Sequence, residues 1–372
     1  MVYLLRHYLF LIILVGALSA GFHGLGFIKS VPWYLVYSDT LGFFDRVAQP
    51  GFAYISKAIE YPLLTGLFIQ FAGMLGKTKA GYYLASVIGL VAAAVIATYF
   101  LYKILPESQK KNLLRYWIFA PTMLIFVTSN WDILAIALIV TALYFLQKDR
   151  FYWGTFFLTL GFSAKFYPIL YLPILLLKRR SWKEWLAIIG ILLGTTAVLN
   201  GFFMFYHFDT WNYFYTLNTF RDPNPDSIWT IIRYFIWPLE VKTVNLLSLL
   251  AFVSGYGYLI WRNRQESIGK LFMVATLLFV LFNKIFSPQY ILWLLPFFVL
   301  YFRPAKNLFY ALEFSNLAAF FAILPWFFLG RDLFYFYLAS PFVILRHIIL
   351  IFILFQLLNS DSVQISHTKR RG

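Results

Sequence analysis

Charge is too scarce in this sequence for the folded chain to be covered by water on all sides. Asp, Glu, Lys and Arg make up 12% of the 372 residues, about half of the roughly 25% that a soluble domain carries. Hydrophobic residues make up 61% and fall in long runs. A helix needs about 20 apolar residues to span a bilayer, and several runs reach that length. The expected fold is all-α: a polytopic transmembrane bundle of about twelve membrane helices, some short or re-entrant, built as a single domain over 1–372.

Residues 8–28 are apolar after Arg6 and His7, as in a signal peptide, but the run is long and nothing soluble follows it. It is read as a retained first helix. Further helices are expected over 81–104, 114–129, 132–147, 185–205, 243–261 and 307–329, with two more flanking 284–290 and a last one near the C-terminus. The apolar run Leu63–Leu75 is too short to cross comfortably and is expected to lie in the outer interface. The stretch 151–177 has basic residues at both ends and Lys165 at its middle, so it reads as two short helices turning at Lys165.

Basic residues concentrate in cytoplasmic loops. That rule places both termini inside, with a cytoplasmic tail over 359–372. It leaves two long outer loops, 29–80 and 206–242, and the outer segments together hold nine of the fifteen acids. The protein is expected in the cell membrane, multi-pass, with its active site on the outer face. The net charge of +16 would suggest nucleic acid in a soluble protein; here topology accounts for it, and no nucleic acid partner is expected. The absence of cysteine excludes disulfides and thiolate chemistry. No HExxH, Walker, GxGxxG or GxSxG arrangement supports a hydrolase, ATPase or nucleotide-sugar reading.

The candidate residues lie mostly in the outer segments. Asp39 follows the first helix, where a carboxylate can take a proton from an attacking hydroxyl. Asp45 is read as a partner of Arg46 or a solvated acid. Glu60-Tyr61-Pro62 opens an apolar segment, either as helix-start chemistry or as a carboxylate that binds sugar hydroxyls. Asn130-Trp131-Asp132 starts another helix: Asp132 caps it or meets substrate, and Trp131 offers a flat face and an N–H. Lys165 is costly in an apolar segment unless it meets water, an anion or a partner; it snorkels or seats a lipid phosphate. Lys284, Arg221 and Arg233 could add to a cationic seat. The five histidines show no ligand spacing.

Several segments together resemble the membrane-embedded glycosyltransferases of the GT-C fold, specifically glycosyltransferase family 87. They are Ser38-Asp39, Glu60-Tyr61-Pro62-Leu63, Asn130-Trp131-Asp132, Lys165-Phe166-Tyr167-Pro168 leading into Leu172-Pro173, and Ser287-Pro288-Gln289-Tyr290 before Trp293. The family pattern has a second proline where this chain has Leu63. The resemblance implies a polyprenyl-phosphate sugar donor, commonly mannose, and a lipid or glycan acceptor. It implies inverting transfer, with Asp39 as the base. The substrate-binding set is then Glu60, Tyr61, Trp131, Asp132, Lys165, Tyr167, Arg221, Lys284, Gln289 and Tyr290. No cofactor is expected; a divalent metal is compatible with the family but not favoured, since no clear carboxylate pair occurs. The competing readings are a transporter or flippase of a lipid-linked sugar, which should show an internal repeat, and a scaffold protein.

Overall fold

The computed structural model describes residues 2–359, and its regular elements are all helical. The cytoplasmic tail expected over 359–372 falls, but for Asn359, outside the described residues. The chain opens with α1 (Val2–Gly24), followed by a loop that carries the short helices α2 (Asp39–Gly42) and α3 (Phe44–Ala48). Next come α4 (Leu63–Gly76) and α5 (Lys79–Ile104). A π-helical turn at Leu114–Ile118 precedes α6 (Pro121–Phe126), α7 (Asp132–Gln147) and α8 (Phe151–Ala164). A 3-10 turn over Tyr167–Tyr171 leads into α9 (Leu172–Leu177), and then come α10 (Trp182–Tyr206), α11 (Phe208–Phe220), α12 (Ile228–Phe235), α13 (Val241–Arg262) and α14 (Ile268–Phe282). A second 3-10 turn, Pro288–Trp293, runs into α15 (Leu295–Leu300), followed by α16 (Lys306–Phe328) and α17 (Leu333–Asn359).

Among the described residues six helices are long and apolar enough to cross a membrane: α1, α5, α10, α13, α16 and α17. The protein is therefore a multi-pass membrane protein. The other apolar segments are shorter than the expected set of about twelve spans requires. α4 has 14 residues, about 21 Å of helix against about 30 Å of hydrocarbon. The helix expected over 114–129 is broken, because Pro121 has no N–H to give and pushes the preceding residue out of helical geometry; Ala120 sits at φ −64°, ψ 128°. The turn at Lys165 falls where expected, with Lys165 itself extended between α8 and the 3-10 turn. The 206–242 loop is built largely from α11 and α12.

α7 and α14 form the centre. Nearly all of α14 from Gly269 to Leu278 is buried, and α7 packs against α5 and α8. α10 and α13 lie outermost, each with only 11% of its most apolar window buried, and the rest is the surface a bilayer would cover. Where α4 hands over to α5 the two backbones touch. A Cβ added at Gly81 would stand 2.2 Å from the Gly76 carbonyl oxygen, and a backbone atom has no rotamer with which to yield. A Cβ at Gly190 in α10 would meet nothing within 4 Å. Gly81→Ala is therefore expected to destabilise by about 1–3 kcal/mol, while Gly190→Ala is neutral or stabilising by about 0.5–1 kcal/mol. Thermal unfolding of the two variants in detergent checks the contrast.

Candidate active site

A cavity of about 930 Å³ opens among the loops around α2, α8, α11 and α14. Asp39, Glu60, Tyr61, Lys165, Tyr167, Arg221, Lys284, Gln289 and Tyr290 all line it. Five separate stretches of sequence thus meet on one surface.

Asp39 is held there by its neighbours. Ser38 caps α2, accepting from the Leu41 N–H, and its hydroxyl donates to the Ser129 carbonyl at 3.2 Å. Thr40 donates to the same Ser129 carbonyl through its N–H at 3.2 Å and to the Thr128 carbonyl through its hydroxyl at 3.0 Å. These bonds fasten the α2 turn to the chain entering α7 and leave the Asp39 side chain at the cavity wall. Tyr37 donates to its Oδ1 at 3.0 Å. Asp39's negative charge, and then burial, push the Tyr37 phenol up, so it stays protonated as the donor. Burial pushes the Asp39 carboxyl up to about 6, against the opposing pull of the Tyr37 hydrogen bond and the Lys165 charge.

Two of the candidates lie behind the wall. Asp132 is fully buried; it accepts from Lys165 Nζ at 2.5 Å on one oxygen and from Trp293 Nε1 at 2.9 Å on the other. It does not cap α7: the Asn130 side chain accepts from its backbone N–H at 3.0 Å instead. Trp131 is also buried, edge-on to Tyr61 and Phe43. Neither reaches the cavity, because α7 begins beneath it. Lys165 does line it, but Asp132 already neutralises its charge, and the ammonium lies 5.3–5.8 Å from the Tyr61, Tyr290 and Trp293 ring centres. Trp293 stacks between Tyr290 at 3.8 Å and Tyr167 at 4.0 Å, so the ion pair also orders an aromatic face.

The cations of the 206–242 loop and the 283–290 turn are differently placed. Lys284 Nζ donates to the carbonyls of Thr219 and Arg221 at 3.1 and 2.9 Å. Burial, then the nearby Arg221 charge, bring its pKa down to about 8. Arg221 donates to the Asn224 side chain at 2.9 Å. Asn224 in turn donates to the Phe286 carbonyl and Ser287 Oγ, joining the two segments. Behind them Arg346 of α17, fully buried, reaches the Asp226 carbonyl at 2.5 Å and the Asn316 side chain at 3.0 Å. Asn316 then holds the Pro288 carbonyl at 2.9 Å. Arg233 pairs with Asp222 and does not line the cavity.

Three of the lining charges have opposite partners: Glu60 with Arg46 at 2.8 Å, Lys165 with Asp132, and Asp226 with Arg346 at 3.8 Å. Arg46 therefore pairs with Glu60 rather than with its neighbour Asp45. Among the described residues Asp39 has no basic side chain within 4 Å, and Arg221 and Lys284 have no acidic one. One cavity thus holds an acid without a cation and two cations without an acid.

Residues 58–288 match glycosyltransferase family 87. The chain belongs to that family. The match takes in Glu60, Lys165, Arg221 and Lys284, while Asp39 lies before it and Gln289 and Tyr290 just after. Three relatives carry the description GPI mannosyltransferase 1. Those from Kluyveromyces lactis and Candida albicans are 29% and 25% identical, over 72% and 71% of this chain and 71% and 72% of theirs. The one from Saccharomyces cerevisiae is 27% identical over 72% of this chain and 71% of its own. This family 87 protein is accordingly a membrane glycosyltransferase, not the transporter or scaffold that composition also allowed.

Sequence reasoning passed over Tyr37, Asp226, Asn224 and Arg346 as site residues. A full positive charge within the longest apolar run is itself a signal, and it would have drawn attention to Arg346. Breaking a buried ion pair from one side strands the other charge and costs about 3–5 kcal/mol. Asp132→Ala is expected to destabilise by about that amount, and Asp132→Ala/Lys165→Met by much less. Thermal unfolding of the purified variants checks both.

Proposed function

We propose that this glycosyltransferase moves a mannose from a polyprenyl-phosphate donor to a hydroxyl of a lipid or glycan acceptor, with inversion and with Asp39 as general base. The observation that carries the reading is the charge distribution in the cavity: Asp39 has no cationic partner, and Lys284 and Arg221 have no acidic one. The relatives' description as mannosyltransferases supports the choice of sugar.

In this reading the acceptor hydroxyl gives its proton to Asp39 as its oxygen attacks the anomeric carbon. The bond from that carbon to the phosphate oxygen breaks, and the electron pair leaves with the polyprenyl phosphate. A β-linked donor then yields an α-linked product. An ammonium has three protons to donate; Lys284 spends two on carbonyls and keeps one for the phosphate. Arg221 presents the rest of its guanidinium. Leu249, Phe252 and Phe279 continue the cavity wall beyond these cations and suit the donor's apolar chain. Glu60, Tyr61, Tyr167, Gln289 and Tyr290 are the sugar-facing set. Lys165, with its charge already met by Asp132, shapes the floor and is not the main phosphate ligand. The site opens to the outer face, with both termini cytoplasmic.

Purified Asp39→Asn, given polyprenyl-phosphate mannose and a membrane-lipid acceptor extract, is expected to lose about 10²–10⁴-fold in kcat while remaining folded. Retained transfer would overturn the assignment of the base. Lys284→Ala is expected to raise the donor KM about tenfold or more, since a hydrogen bond to a charged group contributes about 1.5–3 kcal/mol; steady-state kinetics against donor concentration checks it. The pH profile of kcat/KM should be bell-shaped. Asp39 must be deprotonated, so activity rises as pH passes about 6. Lys284 must be protonated, so activity falls above about 8. Asp39→Glu and Lys284→Arg should each move only their own limb.

A further inference from the structure

A second cavity, of about 350 Å³, lies on the other side of the α2 turn, between the end of α1 and the start of α5. Its walls include Phe27, Ile28, Val31, Trp33 and Leu41, together with two cations, Lys29 and Lys79. Among the described residues neither lysine has an acidic side chain within 4 Å, so the cavity carries two positive charges and no counter-charge. Phe27, Ile28 and Trp33 are 44%, 49% and 52% exposed. Exposed aromatic and aliphatic side chains beside lysines are the pattern of a membrane-water interface, where the apolar groups meet acyl chains and the cations meet headgroups.

We infer that this cavity binds the phosphate-bearing headgroup of an anionic bilayer phospholipid, distinct from either reactant. The two lysines supply the charge complement, and the exposed rim of Phe27, Ile28 and Trp33 lies where the lipid's chains would run. A free phosphate would leave that rim uncovered.

The place of this site in the fold ties it to the large cavity. Tyr37 lines both, and its hydroxyl is the donor to Asp39. Trp33 packs on Phe328 at 4.6 Å and Tyr37 packs on the same ring at 4.9 Å. Phe328 itself lines the large cavity. A headgroup on Lys29 and Lys79 would therefore brace the segment that presents Tyr37 and Asp39.

The test uses the full-length protein in nanodiscs of brominated phosphatidylglycerol or brominated phosphatidylcholine. The Trp33 emission is taken as the difference between the wild type and Trp33→Phe. Trp33 quenching should be at least about twofold stronger with the anionic lipid. Lys29→Ala/Lys79→Ala should bring it down to the phosphatidylcholine level, and Lys29→Arg/Lys79→Arg should retain it. Equal quenching by the two lipids, or quenching unchanged in the alanine pair, would overturn the inference. So would loss of the difference on adding inorganic phosphate at constant ionic strength, which would assign the site to free phosphate. The measurement needs no donor or acceptor, so its failure is separate from any failure of the proposed transfer.

Discussion

The buried carboxylate of Asp132 is the point on which the site's architecture depends. One oxygen takes the Lys165 ammonium and the other the Trp293 indole N–H, so a single side chain joins the start of α7, the break after α8 and the 3-10 turn after α14. An unpaired charge at that depth would be far more expensive than the pair. The pairing therefore constrains where all three segments can lie. Tyr167 and Tyr290 then stack on the two faces of Trp293, and the cavity floor becomes a rigid aromatic surface.

Arg346 does corresponding work on the other side. It bridges Asp226 and Asn316, and through Asn316 the Pro288 carbonyl, holding the two cation-bearing segments against α16 and α17. With Asp132 and Arg346 absorbed into the framework, the charges left over are Asp39, Arg221 and Lys284. Most of the ionisable groups in the middle of this bundle serve to build it, and only the remainder is open to substrate. That distinction separates Lys165, which lines the cavity with its charge already met, from Lys284, which retains a proton to donate.

Much of the organisation was legible residue by residue. The fold class followed from hydropathy and charge, the turn at Lys165 from a lysine and proline interrupting an apolar stretch, and the boundaries of α7 from its uninterrupted apolar run. The break before α6 was missed, although Pro121 signals it, because hydropathy alone does not register a lost N–H. Nine of the eleven residues singled out line one cavity. Trp131 and Asp132 were misplaced because a helix start facing a site and one buried beneath it have the same local sequence.

By itself the sequence determined that this chain lives in a membrane, that the 151–177 stretch turns at Lys165, and which short motifs carry acids, cations and aromatics. These are properties of neighbouring residues, set by backbone chemistry and by the cost of charge in hydrocarbon. Only the tertiary structure decided which charges cancel. Lys165 meets an acid 33 positions away and Arg346 meets one 120 away, and no local pattern encodes pairs that form when distant helices pack. What remained uncancelled, Asp39 with Lys284 and Arg221, could be read only once those pairs were known.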